Sequence, residues 1–190
     1  YRVFRNALPL KDPNTGEVLG YEAQYVGRAE LVRGESLEQS AGTKGEMRTD
    51  IVPATVDLSG VKEEARLGDR LLPAPPRSFD NYAPHAPEAP VEASVVSIYG
   101  GVAAGNAGPN QVIAINRGTD DGMQAGHVLQ LRTGGLRIKD KTDEQRAEIR
   151  LPSEDNGLAM VFLTFERVSY VLLLEIRNGV RVGDRLVNPK

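Results

Sequence analysis

Residues 158–176 read Leu-Ala-Met-Val-Phe-Leu-Thr-Phe-Glu-Arg-Val-Ser-Tyr-Val-Leu-Leu-Leu-Glu-Ile. Two apolar runs, Leu158–Phe165 and Tyr170–Ile176, flank the short polar segment Glu166–Ser169. Each run has the length of a strand, and the segment between them has the length of a hairpin turn. Because the runs are apolar on both faces, they indicate central strands of a barrel or a sandwich. The polar residues in this stretch also make it unsuitable as a membrane-spanning helix.

Other segments of the chain favour strands as well. Leu19–Val32 places apolar and aromatic residues near a two-residue period, and Ser94–Tyr99 and Gln111–Ile115 are short apolar runs bounded by Gly and Asn. The 20 Gly and 12 Pro among 190 residues indicate many turns, and no segment has the pattern of a long amphipathic helix. We therefore predict an all-β protein made of two small, related barrel- or sandwich-like units joined by a Pro-rich segment.

An internal repeat suggests that the two units are related. The segment Ala65-Arg-Leu-Gly-Asp-Arg-Leu-Leu-Pro73 is similar to Val180-Arg-Val-Gly-Asp-Arg-Leu-Val-Asn-Pro189, and Met123–Leu131 is a weaker third copy. Each copy has a Gly-Asp or Gly-His corner before a short apolar strand, where Gly adopts the unusual φ and Asp can bond its own backbone. We interpret the corners as structural turns, formed by Gly68, Asp69, Arg70, Gly126, His127, Gly183, Asp184 and Arg185.

The Pro-rich segment sets the predicted domain boundaries. Proline lacks an N–H group and fixes φ, so residues 73–90 cannot form a helix or an interior strand. We predict an N-terminal β unit over residues 1–73, a Pro-rich linker over 74–92 and a C-terminal β unit over 93–190. The alternative is that the Pro-rich segment is an ordered arm packed across one domain.

Two polar stretches are predicted as loops. Arg33–Asp50 is expected to connect the strands of the first hairpin. Arg132–Asn156 carries a balanced mixture of basic and acidic side chains, which is typical of a solvated excursion. It could also form a contact with a partner.

Few side chains offer metal or catalytic chemistry. The absence of Cys excludes disulfides, thiolate zinc sites and Cys nucleophiles. With only His85 and His127, which are far apart in the sequence, a His-based zinc centre or a Ser-His-Asp triad is implausible. Asp12–Glu17 resembles half of a calcium loop but favours a hairpin turn. Gly100–Gly108 lacks the Lys-Ser/Thr ending of a phosphate loop and favours a hairpin connection.

Charge and composition narrow the possible functions. A net charge of −3 and a pI of about 5.5 argue against nucleic acid as a partner. An aromatic content of 5% without Trp weakens the case for a sugar-stacking platform. We expect no catalytic, cofactor-binding or metal-binding residues, and no enzymatic activity. A glycosidase-like pair formed by Asp69 and Asp184 is the catalytic alternative, but turn chemistry explains both residues without further assumptions.

Several separated motifs occur along the chain: Tyr1–Arg5, Asp12–Gly20, Ile98–Gly101, Gln111–Gly122, and Phe165–Tyr170 followed by Val182–Pro189. Together they resemble the region that lies C-terminal to the LysM domain in proteobacterial cell-envelope proteins. The LysM module itself, with its Gly-Asp-Thr-Leu signature, does not occur in these residues. The resemblance implies an exported protein of the periplasm or cell envelope, held to peptidoglycan by a LysM module outside this chain.

From these features we expect a non-enzymatic cell-envelope module that binds a partner or the cell wall, or acts as a structural spacer. The expected partners are peptidoglycan, through the LysM module, or another envelope protein. Two alternatives stay open: a carboxylate-dependent enzyme acting on peptidoglycan, and an assembly subunit of an envelope complex. No transmembrane segment is predicted, because the chain has no run of 18 apolar residues.

Overall fold

The chain folds as an all-β protein, which confirms the predicted fold class. A computed structural model describes residues 1–41, 46–74, 82–100, 105–133, 137–139, 148–150 and 152–190. Its strands are β1 (Arg2–Lys11), β2 (Val18–Arg33), β3 (Ser36–Ala41), β4 (Met47–Val52), β5 (Thr55–Ser59), β6 (Arg70–Leu72), β7 (Glu92–Ile98), β8 (Val112–Ile115), β9 (Val128–Arg132), β10 (Arg137–Lys139), β11 (Glu148–Arg150), β12 (Asp155–Thr164), β13 (Ser169–Ile176) and β14 (Arg185–Val187). A short 3-10 helix, Thr119–Asp121, precedes β9.

Six strands form a closed antiparallel barrel in the order β12-β13-β8-β7-β14-β9. The apolar stretch 158–176 supplies the hairpin β12–β13, and its turn lies beside the pair Thr164 and Ser169. Side chains alternate between the barrel interior and the outside, as the two-residue period of a strand requires. The interior is filled mainly by aliphatic side chains, among them Val95, Ile113, Ile115, Leu129, Leu131, Val161, Val171, Leu173 and Leu186.

The other large sheet has the strand order β5-β2-β1-β6 and curls into a half-barrel. Strand β5 pairs with the end of β2, and β6 pairs with the start of β1. The buried apolar cluster of this sheet is small and consists of Val3, Val26 and Ala29, with Val56 packed against it.

The contacts within the chain define two compact units. The first consists of Tyr1–Leu8 and Glu22–Ser78, and the second of Pro9–Tyr21 and Phe79–Lys190. Residues 9–21, assigned by chain order to the N-terminal unit, therefore belong with the barrel strands. Within the second unit Leu10 packs in one cluster with Val96 and Val168, and Leu19 packs against the same cluster.

Residues 82–91, in and just after the Pro-rich segment, pack on the barrel as an arm. The N–H of His85 donates to the carbonyl of Gly126 (3.0 Å), and the N–H of Val128 donates to the carbonyl of His85 (2.8 Å). The Asn188 side chain accepts a hydrogen bond from Val91 N–H (2.6 Å) and donates to the carbonyls of residues 87 and 89 (both 3.0 Å). Residues 82–91 thus match the ordered-arm alternative, and residues 75–81 lie outside the described residues.

Both polar stretches contain hairpins that composition did not reveal. Within Arg33–Asp50 and just beyond it, β3 pairs with β4, and Leu37 lies opposite Ile51. The expectation of a plain loop was wrong here. The apolar residues are widely spaced, but they occur at alternate positions of the strands and therefore lie on one face of the hairpin. In the charged loop 132–156, β10 pairs with β11, while 134–136, 140–147 and 151 lie outside the described residues.

Candidate functional site

The two Gly-Asp corners have the same turn geometry. At the first, Gly68 has φ 95° and Asp69 Oδ2 accepts a hydrogen bond from Arg66 N–H (2.8 Å). At the second, Gly183 has φ 91° and Asp184 Oδ2 accepts from Arg181 N–H (2.8 Å). In both, the Asp N–H also donates back to the carbonyl of the same Arg, at 3.1 Å.

The third corner repeats this turn with a histidine in place of the aspartate. Gly126 has φ 98°, His127 Nδ1 accepts from Gln124 N–H (3.3 Å), and His127 N–H donates to the Gln124 carbonyl (3.2 Å). The acceptor role of Nδ1 leaves the ring proton on Nε2 in the neutral form. All three corners are followed by a strand: β6, β9 and β14.

The arginines that follow the two Gly-Asp corners are exposed. Arg70 begins β6 and faces solvent. Arg185 begins β14, and its Nη1 lies 2.9 Å from Glu92 Oε1 on the neighbouring strand β7. Neither arginine is buried beside its corner, so the corner does not depend on the arginine that follows it.

Asp69 is bound on both sides of its carboxylate. Arg5 donates to Asp69 Oδ1 through Nε and to Oδ2 through Nη2, both at 2.8 Å. The hydrogen bond from Arg5, followed by that from Arg66 N–H, lowers the pKa of Asp69 to about 2. Asp69 lies in the first unit and Asp184 in the second, and each serves the turn of its own repeat.

The two histidines, distant in sequence, lie side by side. Their ring centroids are 4.9 Å apart at an interplanar angle of 75°, where the arm docks beside the third corner. Burial lowers the pKa of His127, the charge of His85 lowers it further, and Glu88 opposes the shift. Among the described residues no group of three or more His, Asp or Glu could hold a metal ion.

Asp12 fixes the turn between β1 and β2. Its Oδ1 accepts hydrogen bonds from Asn14 N–H (2.7 Å) and Thr15 N–H (3.2 Å), and its Oδ2 accepts from Asn116 Nδ2 (2.7 Å). Burial disfavours the charged form of Asp12, but these hydrogen bonds outweigh burial and lower its pKa. Asp12 Oδ1 therefore serves the hairpin turn, as the sequence predicted, while Oδ2 connects the turn to Asn116 after β8.

One concave surface in the second unit is a groove of about 510 Å³. Its apolar lining comes from three places in the chain: the end of β1, the start of β2 and the β12–β13 hairpin turn. These side chains are Leu10, Leu19, Tyr21, Phe165, Val168 and Tyr170, and its polar lining is Thr119, Thr164, Glu166 and Arg167. We call this surface the aromatic groove.

Aromatic side chains dominate the exposed part of this groove. Tyr21 is 69% exposed and Phe165 is 51% exposed, although both line a concave surface. Phe165 and Tyr170 make an edge-to-face contact with centroids 6.0 Å apart, and Tyr170 makes another with Tyr99 at 5.9 Å. The groove therefore presents ring faces and edges that a ligand can cover.

Close backbone packing fixes the Phe165–Glu166 side of the groove. Thr119 N–H donates to the Phe165 carbonyl (2.8 Å) and Asp120 N–H donates to the Glu166 carbonyl (3.0 Å). A Cβ atom on Gly118 would overlap both carbonyl groups, so a glycine is required there. Arg167 Nη2 is held 2.7 Å from Glu17 Oε1.

A second, larger cleft on the barrel lacks the aromatic lining of this groove. It lies between Pro109, Leu158, Leu174 and Ile176, with the polar residues of the β12–β13 ends around it. No aromatic side chain is among the described residues that line it. The aromatic groove is therefore the better candidate for stacking interactions.

Aromatic composition alone did not indicate this groove. The overall aromatic content is only 5%, yet the fold gathers Tyr21, Phe165 and Tyr170 on one surface. Phe165 and Tyr170 flank the predicted hairpin turn, which was a usable signal. The approach of Tyr21 from β2 is a long-range contact that local sequence does not indicate.

No protein-family model matches this chain, and no curated protein matches it. Within the described residues, no helix is long and apolar enough to cross a membrane. The resemblance to the region beside a LysM domain therefore rests on the sequence motifs alone.

Proposed function

We propose that this chain is a non-enzymatic module of a LysM-type, peptidoglycan-associated protein of the periplasm or cell envelope. In this role the aromatic groove binds cell-wall material, next to the wall contact of a LysM module outside this chain. The observation that carries this function is the exposure of Tyr21 and Phe165 within a concave surface. Large exposed aromatic residues at a groove mark binding surfaces on soluble domains.

The shape and chemistry of the groove suit a carbohydrate polymer. Aromatic ring faces stack against the C–H faces of sugar rings, and tyrosine combines an apolar ring with a polar tip. Thr119, Thr164 and Arg167 supply hydroxyl and guanidinium groups at the same surface. An open groove of this kind accepts a stretch of an extended chain, whereas a small ligand favours an enclosed cavity.

The repeated carboxylates support binding over catalysis. Asp69 is engaged by Arg5 and by the backbone of its corner, and Asp184 caps an identical corner. Because each carboxylate holds a turn, neither is presented to a sugar as a general acid would be.

A sedimentation assay with insoluble peptidoglycan tests this function. The full chain is incubated with purified wall, and soluble muropeptides are measured in the same tube. We expect retention of the protein without muropeptide release. Phe165→Ala and Tyr21→Ala should each weaken retention about fivefold or more, the loss typical of an anchoring aromatic side chain. Tyr1→Ala removes a tyrosine that is 47% exposed but does not line the groove, and it is the matched control.

Any other result of the sedimentation assay would indicate a different function or a different contact surface. Release of muropeptides would replace binding with a carboxylate-dependent enzyme. Absence of retention would direct the search to another envelope protein as the partner. Equal losses for Tyr1→Ala and Phe165→Ala would show that the groove is not the contact.

A second function, assembly subunit of an envelope complex, is favoured by one observation in the first unit. The hairpin β3–β4 exposes Leu37, Met47 and Ile51 on one face, each at 67% or more. An apolar sheet face of this kind can pair with another protein. Concentration-dependent mass in solution, reduced by Ile51→Asp, would support this second function.

A further inference from the structure

The charges around the aromatic groove are unevenly paired. Arg167 is bound to Glu17 at 2.7 Å, and Arg117 Nε lies 3.6 Å from Asp121 Oδ1. These contacts neutralise both arginines at this end of the barrel. Two exposed carboxylates, Asp120 and Glu166, have no side-chain hydrogen bond or ion pair within the part of the chain that the structure describes.

The backbones of these two acids are held next to each other. Asp120 N–H donates to the carbonyl of Glu166 (3.0 Å), and the close packing at Gly118 keeps the two segments together. Glu166 lines the aromatic groove beside Phe165, which is half exposed. The Glu166 side chain is therefore part of the groove lining, and the backbone of Asp120 lies next to that of Glu166.

Aromatic faces and carboxylates attract the same kind of group. The face of a Phe or Tyr ring carries negative electrostatic potential and attracts cations such as ammonium and guanidinium. A neighbouring carboxylate adds Coulomb attraction and can accept a charge-assisted hydrogen bond. An anionic ligand would be repelled by both acids, and a neutral ligand would gain no Coulomb attraction from Glu166.

We infer that the aromatic groove binds a ligand that carries an ammonium group, held between the Glu166 carboxylate and the aromatic faces of Phe165 and Tyr21. This inference rests on the proposed function, because peptides of the cell wall carry free amino groups while the sugars of its glycan strands are largely neutral. The ligand is accordingly wall glycan with an attached peptide whose amine is not acylated.

The test compares native wall with wall whose amines have been acetylated by acetic anhydride. Acetylation turns each ammonium into a neutral amide and leaves the glycan strands intact. The full chain, Glu166→Gln and the control Glu154→Gln are sedimented with both walls over a series of protein concentrations. Glu154 is an exposed glutamate that does not line the groove.

We expect acetylation and Glu166→Gln each to weaken binding roughly fivefold, as for an exposed ion pair strengthened by an aromatic face. Because both changes remove the same contact, Glu166→Gln should lose little further affinity on acetylated wall. Glu154→Gln should behave as the unchanged chain, and added salt should weaken binding only where the ammonium is present.

The outcomes separate the inference from the function on which it rests. If acetylated wall binds as well as native wall while Phe165→Ala still loses retention, the inference is overturned and the wall-binding function stands. If both walls fail to retain the unchanged chain, the wall-binding function is overturned, and the inference falls with it. Equal losses for Glu166→Gln and Glu154→Gln would also overturn the inference, since they indicate a diffuse charge effect.

Discussion

The carboxylate of Asp69 connects a local turn to a long-range ion pair. It accepts hydrogen bonds from Arg66 N–H within the corner and from Arg5 on β1, and these lower its pKa to about 2. An Asp in an unfolded chain titrates near about 3.9. The stabilisation from this carboxylate is therefore complete above about pH 4 and is lost as the pH falls through about 2, because the unfolded chain binds the proton first.

We expect Asp69→Asn to lower the melting temperature of the first unit by a few degrees near neutral pH, because Asn cannot form the charged pair with Arg5. The difference between the variant and the unchanged chain should shrink as the pH is lowered from about 5 to about 2. Thermal unfolding, followed by circular dichroism at each pH, measures this difference in melting temperature. Asp57→Asn changes an exposed Asp of β5 and is the control. A difference that stays constant over this range would contradict the role of the Asp69 charge.

At the level of single residues, the sequence indicates the Gly-Asp and Gly-His corners but not the distant side chains that bind them. The Gly-Asp pattern locates a turn because Gly tolerates positive φ and Asp bonds its own backbone. The same pattern placed His127 in the third corner, where its ring nitrogen acts as the acceptor. Arg5 lies 64 residues from Asp69, and no local rule predicts that pairing.

The central hairpin of the barrel follows from the sequence, whereas the strands of the polar stretches do not. The runs 158–165 and 170–176 predicted the hairpin β12–β13, because they are apolar on both faces, have the length of strands and flank a short turn. Strands β3 and β4 escaped detection because their exposed apolar residues are few and widely spaced. The arm at residues 82–91 is held by His85 backbone bonds and by the Asn188 side chain, which composition cannot reveal.

For the arm, we expect Asn188→Ala to loosen residues 82–91 while the barrel stays folded. The change removes three hydrogen bonds, to Val91 N–H and to the carbonyls of residues 87 and 89, each worth about 0.5–1.5 kcal/mol. Amide exchange at Val91 should accelerate roughly tenfold or more. Asn178→Ala is the control, because Asn178 uses only its backbone in the hydrogen bonds to Asn156. Unchanged exchange at Val91 would mean that Asn188 does not hold the arm.

At the scale of the whole molecule, chain order is a poor guide to the units. The predicted boundaries, 1–73 and 93–190, treated the Pro-rich segment as the divider, since proline breaks regular structure. By their contacts, residues 9–21 instead belong to the second unit. They supply Leu10 and Leu19 to an apolar cluster and Asp12 to a buried hydrogen bond with Asn116.

The assignment of residues 9–21 to the second unit can be tested with two truncated chains. One holds residues 79–190, and the other joins residues 9–21 to residue 79 through a flexible Gly/Ser linker. We expect the first to melt at a clearly lower temperature. Without residues 9–21, the Asn116 amide loses its Asp12 partner, at a cost of about 1–3 kcal/mol. The apolar contact of Leu10, which is 6% exposed, is lost as well, and full burial of a leucine is worth about 1.5–3 kcal/mol.

The same pair of chains also reports on the groove, because Leu10, Leu19 and Tyr21 line it and are absent from the shorter chain. Retention on peptidoglycan should therefore require residues 9–21 even at temperatures where both chains are folded. Differential scanning calorimetry and the sedimentation assay supply the two readouts. Equal melting temperatures would favour a boundary within the Pro-rich segment, and equal retention would place the wall contact elsewhere in residues 79–190.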